Sequence, residues 1–578
     1  MQARLDNPLI IQADRSVLLE CHGPRYEAAR DTLACFAELI KCPEHIHTYA
    51  ISPLSLWNAA ATGWTAEAVI EGLKEYSKYP IPENILYEIK EWIGRYGRLR
   101  LVHGTEGLEL CSEDKALIAQ IAGLNKFREF LIGKIDGNRL LVREGMRGRI
   151  KQALIKEIQF PVEDLAGYSE GESLEIRLRE RALSGKPFGL RAYQRDAVDV
   201  FWAGGGSRGG SGVVVLPCGA GKTVVGMGAM EKVRQTTLIL TTNITALRQW
   251  RDELLDKTTL SEEQIGEYSG AEKTICPVTL TTYQILTYRK SRDGEFVHLD
   301  LFQKRNWGLV IYDEVHLLPA PVFRAVADLQ AKRRLGLTAT LVREDGKEED
   351  VFSLIGPKKH DVPWKDLERQ GWIAQAQCTE ICVPLSSEEK MRYAMAGPKA
   401  KFRIASENPN KMQVLERLIE RHCDDNVLII GQYISQLHQI ADRFDAPIIT
   451  GKTPNDDRRK LYDDFKSGAI KRLIVSKVAN FAVDLPDANV AIQISGTFGS
   501  RQEEAQRLGR ILRPKSNGAS AHFYSIVSRE SKDQEFARKR QAFLTEQGYR
   551  YSIENENAAE EAEGEAQDAA RASRSASE

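Results

Sequence analysis

The chain has 578 residues, of which 42% are hydrophobic, and its formal net charge is −1. The length predicts three or four domains, because a single hydrophobic core stops growing well below this size. The balanced charge excludes a globally basic surface, so a surface for nucleic acid must be local. We expect no signal peptide and no membrane span, because the sequence contains no run of about 18 apolar residues.

Nine cysteines are scattered along the chain without a Cys-x-x-Cys pair. This pattern disfavours a disulfide framework and favours a reducing compartment. Cys378 and Cys382 could be combined with His422 and Cys423 into a zinc site. The first two lie in an apolar, strand-like run, whereas a zinc ribbon needs two tight ligand pairs at turns, so we favour a strand over a metal site.

The N-terminal region, residues 1–170, predicts a mixed module of helices and strands. Ser52 is typical of a helix cap, and the apolar residues after it recur at helical spacing. A second amphipathic helix is predicted over 83–94. Short strand-like pieces follow at 98–102 and 140–142. Helices followed by a small hairpin indicate a winged-helix-like adaptor.

Two series of short apolar runs, separated by helical segments, follow this region. The first series lies at 212–216, 237–241, 278–282, 308–312 and 334–340. The second series lies at 426–431, 446–451, 471–476, 489–495 and 519–527. Continuous Val, Ile and Leu runs predict strands that are buried on both faces of a parallel sheet. The predicted fold class is therefore α/β, with two parallel-sheet domains in tandem and a cleft between them.

Changes of composition set the predicted domain boundaries. The chain becomes polar and charged near residue 170, and it is rich in Ala and Glu after residue 553, which predicts a disordered acidic tail. The predicted domains are an adaptor at 1–170, a first sheet domain at 180–365, a second sheet domain at 366–553 and a tail at 554–578.

A phosphate-binding loop is predicted directly after the first strand of the first series. Gly219 and Gly221 allow a tight turn that directs backbone amides at phosphate groups, and Lys222 would contact the β- and γ-phosphates of ATP. The Thr223 hydroxyl would bind Mg²⁺ at the start of the next helix. The predicted nucleotide-binding residues are Pro217, Cys218, Gly219, Ala220, Gly221, Lys222 and Thr223. Leu216 stands where the strict motif has Gly, and the alternative is an ordinary turn between a strand and a helix.

Two acids follow the fourth strand of the first series, in the sequence Tyr-Asp-Glu-Val-His. Their position predicts that they project from the carboxyl end of the sheet, where α/β proteins bind ligands. Asp313 would bind Mg²⁺, and Glu314 would orient and deprotonate the attacking water. His316 would sense the γ-phosphate or relay its state to the second sheet. The alternative is that the acids are helix caps.

A third motif, near the end of the second series, supplies arginines. Arg510 and Arg513 are three residues apart, behind Gln506, and so share one face of a helix. They are predicted to act as arginine fingers on the developing charge of the phosphate. A solvent-exposed helix face is the alternative for so many arginines.

These motifs together resemble those of superfamily-two helicases, and more specifically of the XPB-type DNA repair helicases with a DEVH box. Further matches are Leu190-Arg-Ala-Tyr-Gln-Arg, Leu337-Thr-Ala-Thr, Arg343-Glu-Asp, Asn408-Pro-Asn-Lys, Val475-Ser-Lys-Val and Asp484-Leu-Pro. The resemblance implies RecA-like domains, an adenine contact from Gln194 beside Arg191, and 3′-to-5′ movement on double-stranded DNA. It also implies a role in DNA repair or promoter opening in a bacterial or archaeal cytoplasm. The stretch 388–406 is short for the family's thumb insertion.

Contacts to nucleic acid are expected along the carboxyl ends of both sheets. The candidates are Thr242, Asn243, Arg248, Gln249, Thr281, Thr282, Arg343, Ser476 and Lys477. Hydroxyl, amide and basic groups suit contacts to phosphates, which position a strand without reading its sequence. Each hydroxyl could instead cap a strand or helix end. The basic stretch 139–156 is a second possible DNA surface.

The sequence predicts an ATP-dependent 3′-to-5′ DNA helicase and leaves two alternatives. A double-strand translocase that remodels DNA–protein complexes would use the same motifs. A nucleotide-gated scaffold that recruits a nuclease through residues 1–170 would need no water-activating residue, so the presence of Glu314 argues against it.

Overall fold

The structure is a computed structural model. It describes residues 4–41, 45–206, 209–217, 219–291, 296–328, 332–339, 348–362, 367, 370, 376–476, 488–495, 521–546 and 550–556. The N-terminal region, apart from Leu39–His47, lies in one compact unit with the first parallel sheet, and the second parallel sheet lies in another. The predicted α/β class with two parallel-sheet domains is confirmed.

The chain begins with a small four-stranded sheet in the order β1-β2-β4-β3. Its strands are β1 Leu9–Ile11, β2 Ser16–Glu20, β3 Glu38–Lys41 and β4 Ile46–Ala50. The helices are Tyr26–Ala34, Pro53–Ala61, Ala66–Tyr76 and Glu83–Arg95. The second helix begins where the sequence predicted, because the Ser52 hydroxyl accepts a hydrogen bond from the backbone N–H of Ser55 at 3.0 Å.

A five-stranded sheet follows, in the order β7-β8-β6-β5-β9. Its strands are β5 Leu99–Gly104, β6 Gly107–Cys111, β7 Leu131–Lys134, β8 Arg139–Val142 and β9 Val162–Asp164, and its helices are Lys115–Gly123 and Arg147–Ile158. The region predicted as a winged-helix-like adaptor therefore contains two sheets, where the sequence indicated helices and one hairpin. Most of the strands that the sequence missed have only three to five residues, too few to establish an alternating pattern.

The first parallel sheet has seven strands in the order β12-β13-β11-β14-β15-β10-β16. They are β10 Ser211–Val215, β11 Thr237–Thr241, β12 Ile265–Tyr268, β13 Val278–Thr282, β14 Leu309–Asp313, β15 Arg333–Thr338 and β16 Lys358–Asp361. The helices are Ala192–Trp202, Lys222–Val233, Ile244–Lys257, Tyr283–Leu286, Ala320–Asp328 and Glu348–Leu354. The sequence missed only the two edge strands, whose polar residues lack the apolar run of a central strand.

The second parallel sheet also has seven strands, in the order β19-β20-β18-β21-β22-β17-β23. They are β17 Ala376–Val383, β18 Val427–Gly431, β19 Ile448–Ile449, β20 Arg472–Ser476, β21 Val490–Gln493, β22 Ala521–Ser528 and β23 Arg550–Asn555. The helices are Ser387–Met395, Pro398–Ser406, Asn410–Arg421, Ile434–Phe444, Asn455–Lys466 and Lys532–Glu546. The first two helices occupy the stretch compared above with a thumb.

Two details of the second sheet bear on the sequence predictions. Cys378 and Cys382 are buried in β17, as the strand interpretation requires. Strand β23 pairs in parallel with β17, so the sheet extends two residues into the segment predicted as a tail. The tail from residue 557 onward lies outside the described residues. No helix among the described residues is long and apolar enough to cross a membrane.

The N-terminal region has two modules, the four-stranded sheet with its helices and the five-stranded sheet with its helices. Both modules contact the helix Glu348–Leu354 of the first parallel sheet. From the first module, Trp57 packs its buried ring against Phe352, with ring centroids 6.2 Å apart. From the second module, the Gln152 amide donates a hydrogen bond to the Asp350 carboxylate at 2.7 Å. The N-terminal region is thus joined to the first parallel sheet by a packed apolar contact with a polar bond beside it.

We predict that Phe352→Ala lowers the free energy of unfolding of this unit by about 3 kcal/mol, because it leaves a cavity beside Trp57. Urea unfolding followed by tryptophan fluorescence measures the change. Tyr87→Ala removes a mostly exposed ring and should change stability by no more than about 0.5 kcal/mol. Equal effects of the two substitutions would contradict the packed interface.

A cluster of buried charges lies where the five-stranded sheet meets strand β15. The Asp164 carboxylate accepts hydrogen bonds from Arg147 at 3.0 Å and from Lys151 at 2.8 Å. Arg334 of β15 is also buried, and it donates to the Ser211 hydroxyl at 2.9 Å. Burial lowers the pKa of Lys151 and Asp164 opposes this shift, while Arg334 adds to it, and the pKa that results is about 8.

The lowered pKa of Lys151 predicts a pH dependence of stability. Between pH 8 and 10.5 the unfolded chain binds more protons at this lysine than the folded chain, so this group makes stability rise with pH. We expect the melting temperature of the wild type to rise relative to that of Lys151→Met between pH 8 and pH 10. A melting-temperature difference that does not change with pH would contradict the assignment.

Candidate active site

The phosphate-binding loop joins β10 to the helix Lys222–Val233, which is called the P-loop helix below. Gly219 and Gly221 have φ angles of 82° and 81°, in the left-handed region that side chains disfavour. A Cβ atom on Gly221 would lie 2.5 Å from Nε2 of Gln194. The turn therefore needs glycine for its backbone and for its packing, and it leaves the N-terminal amides of the P-loop helix without partners inside the helix.

Gln194 supports this loop through hydrogen bonds. Its side-chain amide donates to the carbonyl of Ala220 at 2.9 Å and accepts from the backbone N–H of Arg191 at 3.0 Å. The Tyr193 hydroxyl donates to the same carbonyl at 2.8 Å. Gln194 is only 3% exposed. Its amide is thus engaged in bonds within the chain, and the adenine contact that the family resemblance implies stays a prediction.

The two acids lie at the carboxyl end of β14, beside the P-loop. Glu314 has a φ of 50°, a left-handed conformation that is strained for a residue with a side chain. Its carboxylate forms an ion pair with the Lys222 ammonium, with 2.9 Å between Nζ and Oε1. The buried His316 ring lies 2.6 Å from the Thr338 hydroxyl and 3.6 Å from Glu314. The phosphate-binding loop, the acids with His316, and the motif that contains Thr338 thus lie together at one edge of the sheet.

The electrostatics of the two acids differ. Burial raises the pKa of Asp313, and the neighbouring Glu314 carboxylate raises it further, against the effect of Lys222. Burial also raises the pKa of Glu314, but the Lys222 ammonium and His316 outweigh this effect and hold it below its ordinary value. Glu314 is therefore the more acidic of the two carboxyl groups.

The residues around Asp313 suit a magnesium ion. Mg²⁺ prefers oxygen ligands and commonly binds one or two protein oxygens together with nucleotide phosphates. Asp313 ends β14 at the same edge of the sheet where Thr223 lies in the first turn of the P-loop helix. A carboxylate and a hydroxyl beside a phosphate-binding turn are the chemistry that this ion requires.

Two further residues hold Asp313, and the sequence did not single them out. The indole N–H of Trp250 donates to Oδ2 of Asp313 at 3.0 Å, and the Tyr283 hydroxyl donates to its backbone carbonyl at 2.9 Å. Both side chains are buried. The available signal was position, since Trp250 directly follows Gln249, and Tyr283 directly follows Thr282.

The structure separates the candidates for nucleic-acid contact into exposed and buried groups. Arg248 and Gln249 are exposed after β11. Thr281 is fully buried and donates its hydroxyl to the carbonyl of Tyr268 at 2.9 Å, so its side chain cannot reach a ligand. The hydroxyl of Thr282 accepts from the N–H of Ile285 at 3.3 Å as a helix cap.

Two other candidates are also engaged or buried. The carbonyl oxygen of the Asn243 side chain accepts from the N–H of Ala246 at 2.9 Å and so caps the helix Ile244–Lys257, while Thr242 beside it is half-buried. Ser476 is buried at the end of β20. The capping alternative therefore applies to Asn243 and Thr282. The predicted site residues that lie outside the described residues are Cys218, Arg343, Lys477, Gln506, Arg510 and Arg513.

Comparison with known proteins agrees with this arrangement. The family model "ERCC3/RAD25/XPB C-terminal helicase" matches residues 367–576, "Type III restriction enzyme, res subunit" matches 187–343, and "Helicase conserved C-terminal domain" matches 9–136. Two proteins named "DNA 3'-5' helicase XPB", from Kineococcus radiotolerans and Mycobacterium tuberculosis, are each 54% identical over 549 residues. These matches cover 95% of this chain and 96% and 98% of theirs. The chain belongs to the XPB helicase family.

A more distant XPB relative extends the comparison beyond bacteria. It is the "General transcription and DNA repair factor IIH helicase/translocase subunit XPB" of Enterocytozoon bieneusi, 33% identical over 567 residues, with 94% of this chain and 92% of the relative covered. The family that the sequence motifs resembled is therefore confirmed over nearly the full length of the chain.

We predict that Gly221→Ala abolishes measurable nucleotide binding, because the new Cβ strains the backbone and collides with Gln194. Equilibrium titration with a fluorescent ATP analogue tests this. Gly185→Ala is the matched control, since Gly185 has a φ of 84° but no atom within 4 Å of the position of a Cβ. If both variants bind nucleotide equally weakly, the loss comes from general destabilisation of the chain and not from the phosphate-binding loop.

Proposed function

We propose that this chain is an ATP-dependent DNA 3′-5′ helicase of the XPB type, acting in DNA repair. The observation that carries the proposal is the ion pair between Lys222 and Glu314 at the carboxyl edge of a parallel sheet, in a chain 54% identical to proteins named DNA 3'-5' helicase XPB. A lysine placed to bind phosphates, beside a carboxylate placed to orient the attacking water, supplies two of the groups that nucleotide hydrolysis needs.

The ion pair gives a physical reason for the order of events. Phosphate oxygens of ATP compete with Glu314 for the Lys222 ammonium, so ATP binding releases the Glu314 carboxylate to orient a water and accept its proton. Mg²⁺, held by Asp313 and Thr223, would neutralise charge on the phosphates. His316, which contacts Thr338, would transmit the change at Glu314 to β15. Arg510 and Arg513 remain the predicted arginine fingers.

DNA would lie along the carboxyl edge of the first sheet, where Arg248 and Gln249 are exposed. Two flexible polar side chains can bind phosphates but give little sequence specificity. Affinity for DNA should therefore fall as salt concentration rises. A nuclease partner for the N-terminal modules, and a location in the cytoplasm, remain predictions from the sequence.

The motor function is tested by ATP hydrolysis with and without single- or double-stranded DNA. We expect DNA to stimulate the wild type and Lys222→Ala to lose at least about 10²-fold in turnover, because the phosphates lose their counter-charge. Arg510→Ala should lose about 10³-fold or more if it supplies an arginine finger. Lys232→Ala removes a lysine from the same helix, paired with Asp199 away from the site, and should hydrolyse ATP normally.

Two outcomes would refute the motor. ATP hydrolysis that DNA does not stimulate would contradict a motor that acts on DNA. Normal turnover in Lys222→Ala would contradict the proposed nucleotide site.

A double-strand translocase is the second candidate, favoured by the name "helicase/translocase" given to the relative in Enterocytozoon bieneusi. A forked duplex and a triplex substrate separate the two activities under the same conditions. Displacement of the paired strand from the fork supports the helicase. Displacement of the third strand without opening of the fork supports the translocase.

A further inference from the structure

Asp313 is held by two buried side chains that come from different segments of the chain. Trp250 donates its indole N–H to the carboxylate oxygen Oδ2 at 3.0 Å. Tyr283 donates its hydroxyl to the backbone carbonyl of the same aspartate at 2.9 Å. One bond fixes the direction of the carboxylate and the other fixes the end of β14, so together they set where the carboxylate points.

Each of these side chains directly follows, in the sequence, a residue that is a candidate for nucleic-acid contact. Trp250 lies on the helix Ile244–Lys257, one and two residues after the exposed Gln249 and Arg248. Tyr283 begins the helix Tyr283–Leu286, whose first turn is capped by Thr282. A rigid helix turn therefore separates the surface of each segment from its bond to Asp313.

The indole has no room to move independently of its surroundings. A Cβ atom added to Gly226, on the P-loop helix, would lie 2.4 Å from the Trp250 ring and 3.4 Å from Leu337 of β15. The Trp250 ring thus packs directly against the P-loop helix at Gly226, where Leu337 of β15 also approaches that helix. A shift of the helix Ile244–Lys257 must therefore move the indole N–H and, with it, its bond to Asp313.

From this geometry we infer that Trp250 and Tyr283 are positioning residues that couple DNA binding to the magnesium-binding carboxylate of Asp313. The inference rests on the proposed function, in which Arg248 and Gln249 contact DNA and Asp313 binds Mg²⁺. DNA that draws the helix Ile244–Lys257 towards its phosphates orients the Asp313 carboxylate, and correct Mg²⁺-nucleotide binding in turn favours the helix position that binds DNA.

The test uses substitutions that remove one hydrogen bond and keep an aromatic side chain. Trp250→Phe loses the indole N–H, and Tyr283→Phe loses only the hydroxyl. Trp307→Phe is the control for the first, because Trp307 is equally buried in the same domain and donates its N–H to the carbonyl of Leu301 at 3.1 Å, away from the site. Tyr312→Phe is the control for the second, because the Tyr312 hydroxyl is buried without a hydrogen-bond partner among the described residues.

The measurement is binding of a fluorescent, non-hydrolysable ATP analogue to the full chain, titrated with Mg²⁺ in the presence and absence of duplex DNA. We expect Trp250→Phe and Tyr283→Phe to need about 3–10-fold more Mg²⁺ for half-maximal binding, the range expected for loss of one hydrogen bond to a charged or backbone group. We also expect the gain in nucleotide affinity caused by DNA to shrink by a similar factor. Trp307→Phe and Tyr312→Phe should match the wild type in both quantities.

A second variant guards against an effect of lost packing. Gly226→Ala keeps the indole but displaces it from Asp313, so it should reproduce the loss of coupling seen in Trp250→Phe. The inference is overturned if Trp250→Phe and Tyr283→Phe retain the wild-type Mg²⁺ requirement and DNA effect, or if Trp307→Phe loses them equally. Failure of the proposed function would be seen instead in the wild type, as nucleotide binding that DNA does not alter.

Discussion

The buried ion pair of Lys222 and Glu314 depends on two backbone conformations that side chains disfavour. Gly221 adopts a left-handed turn before the lysine, and Glu314 adopts one itself at the end of β14. These two turns bring opposite charges together at 2.9 Å in a site from which most water is excluded. Burying either charge without the other would cost free energy. A ligand that binds Lys222 therefore also changes the electrostatic environment of Glu314. In the function proposed above, the nucleotide can act as a switch because the two charges are buried together.

The central strands of both sheets could be predicted from the sequence because they are continuous apolar runs, and the Ser52 cap could be predicted because its chemistry is local. Edge strands such as β16 could not, since their residues are polar and only pairing with a neighbour makes them strands. The same limit applied to Thr281, whose hydroxyl has the right chemistry for a ligand but is bonded to a neighbouring strand.

Residues that hold a catalytic group were harder to find than the group itself. Trp250 lies among apolar positions of an amphipathic helix, where tryptophan is most often a core residue, and its role depends on one N–H that only the fold directs at Asp313. Gln194 is another supporting residue, because its amide bonds hold the loop, while the ligand contact that the family motif implies stays a prediction. Sequence motifs predict which groups contact the ligand, whereas only the fold shows which other residues hold those groups in position.

The contacts of the helix Glu348–Leu354 affect where the chain can be divided into fragments that fold separately. Its Phe352 ring and Asp350 carboxylate are covered by Trp57 and Gln152, residues that lie far upstream of the first parallel sheet. A fragment that starts at the change of composition near residue 170 would expose an aromatic patch and an orphaned acid on this helix. We therefore expect the first sheet domain to remain soluble only when it is produced together with both modules that precede it.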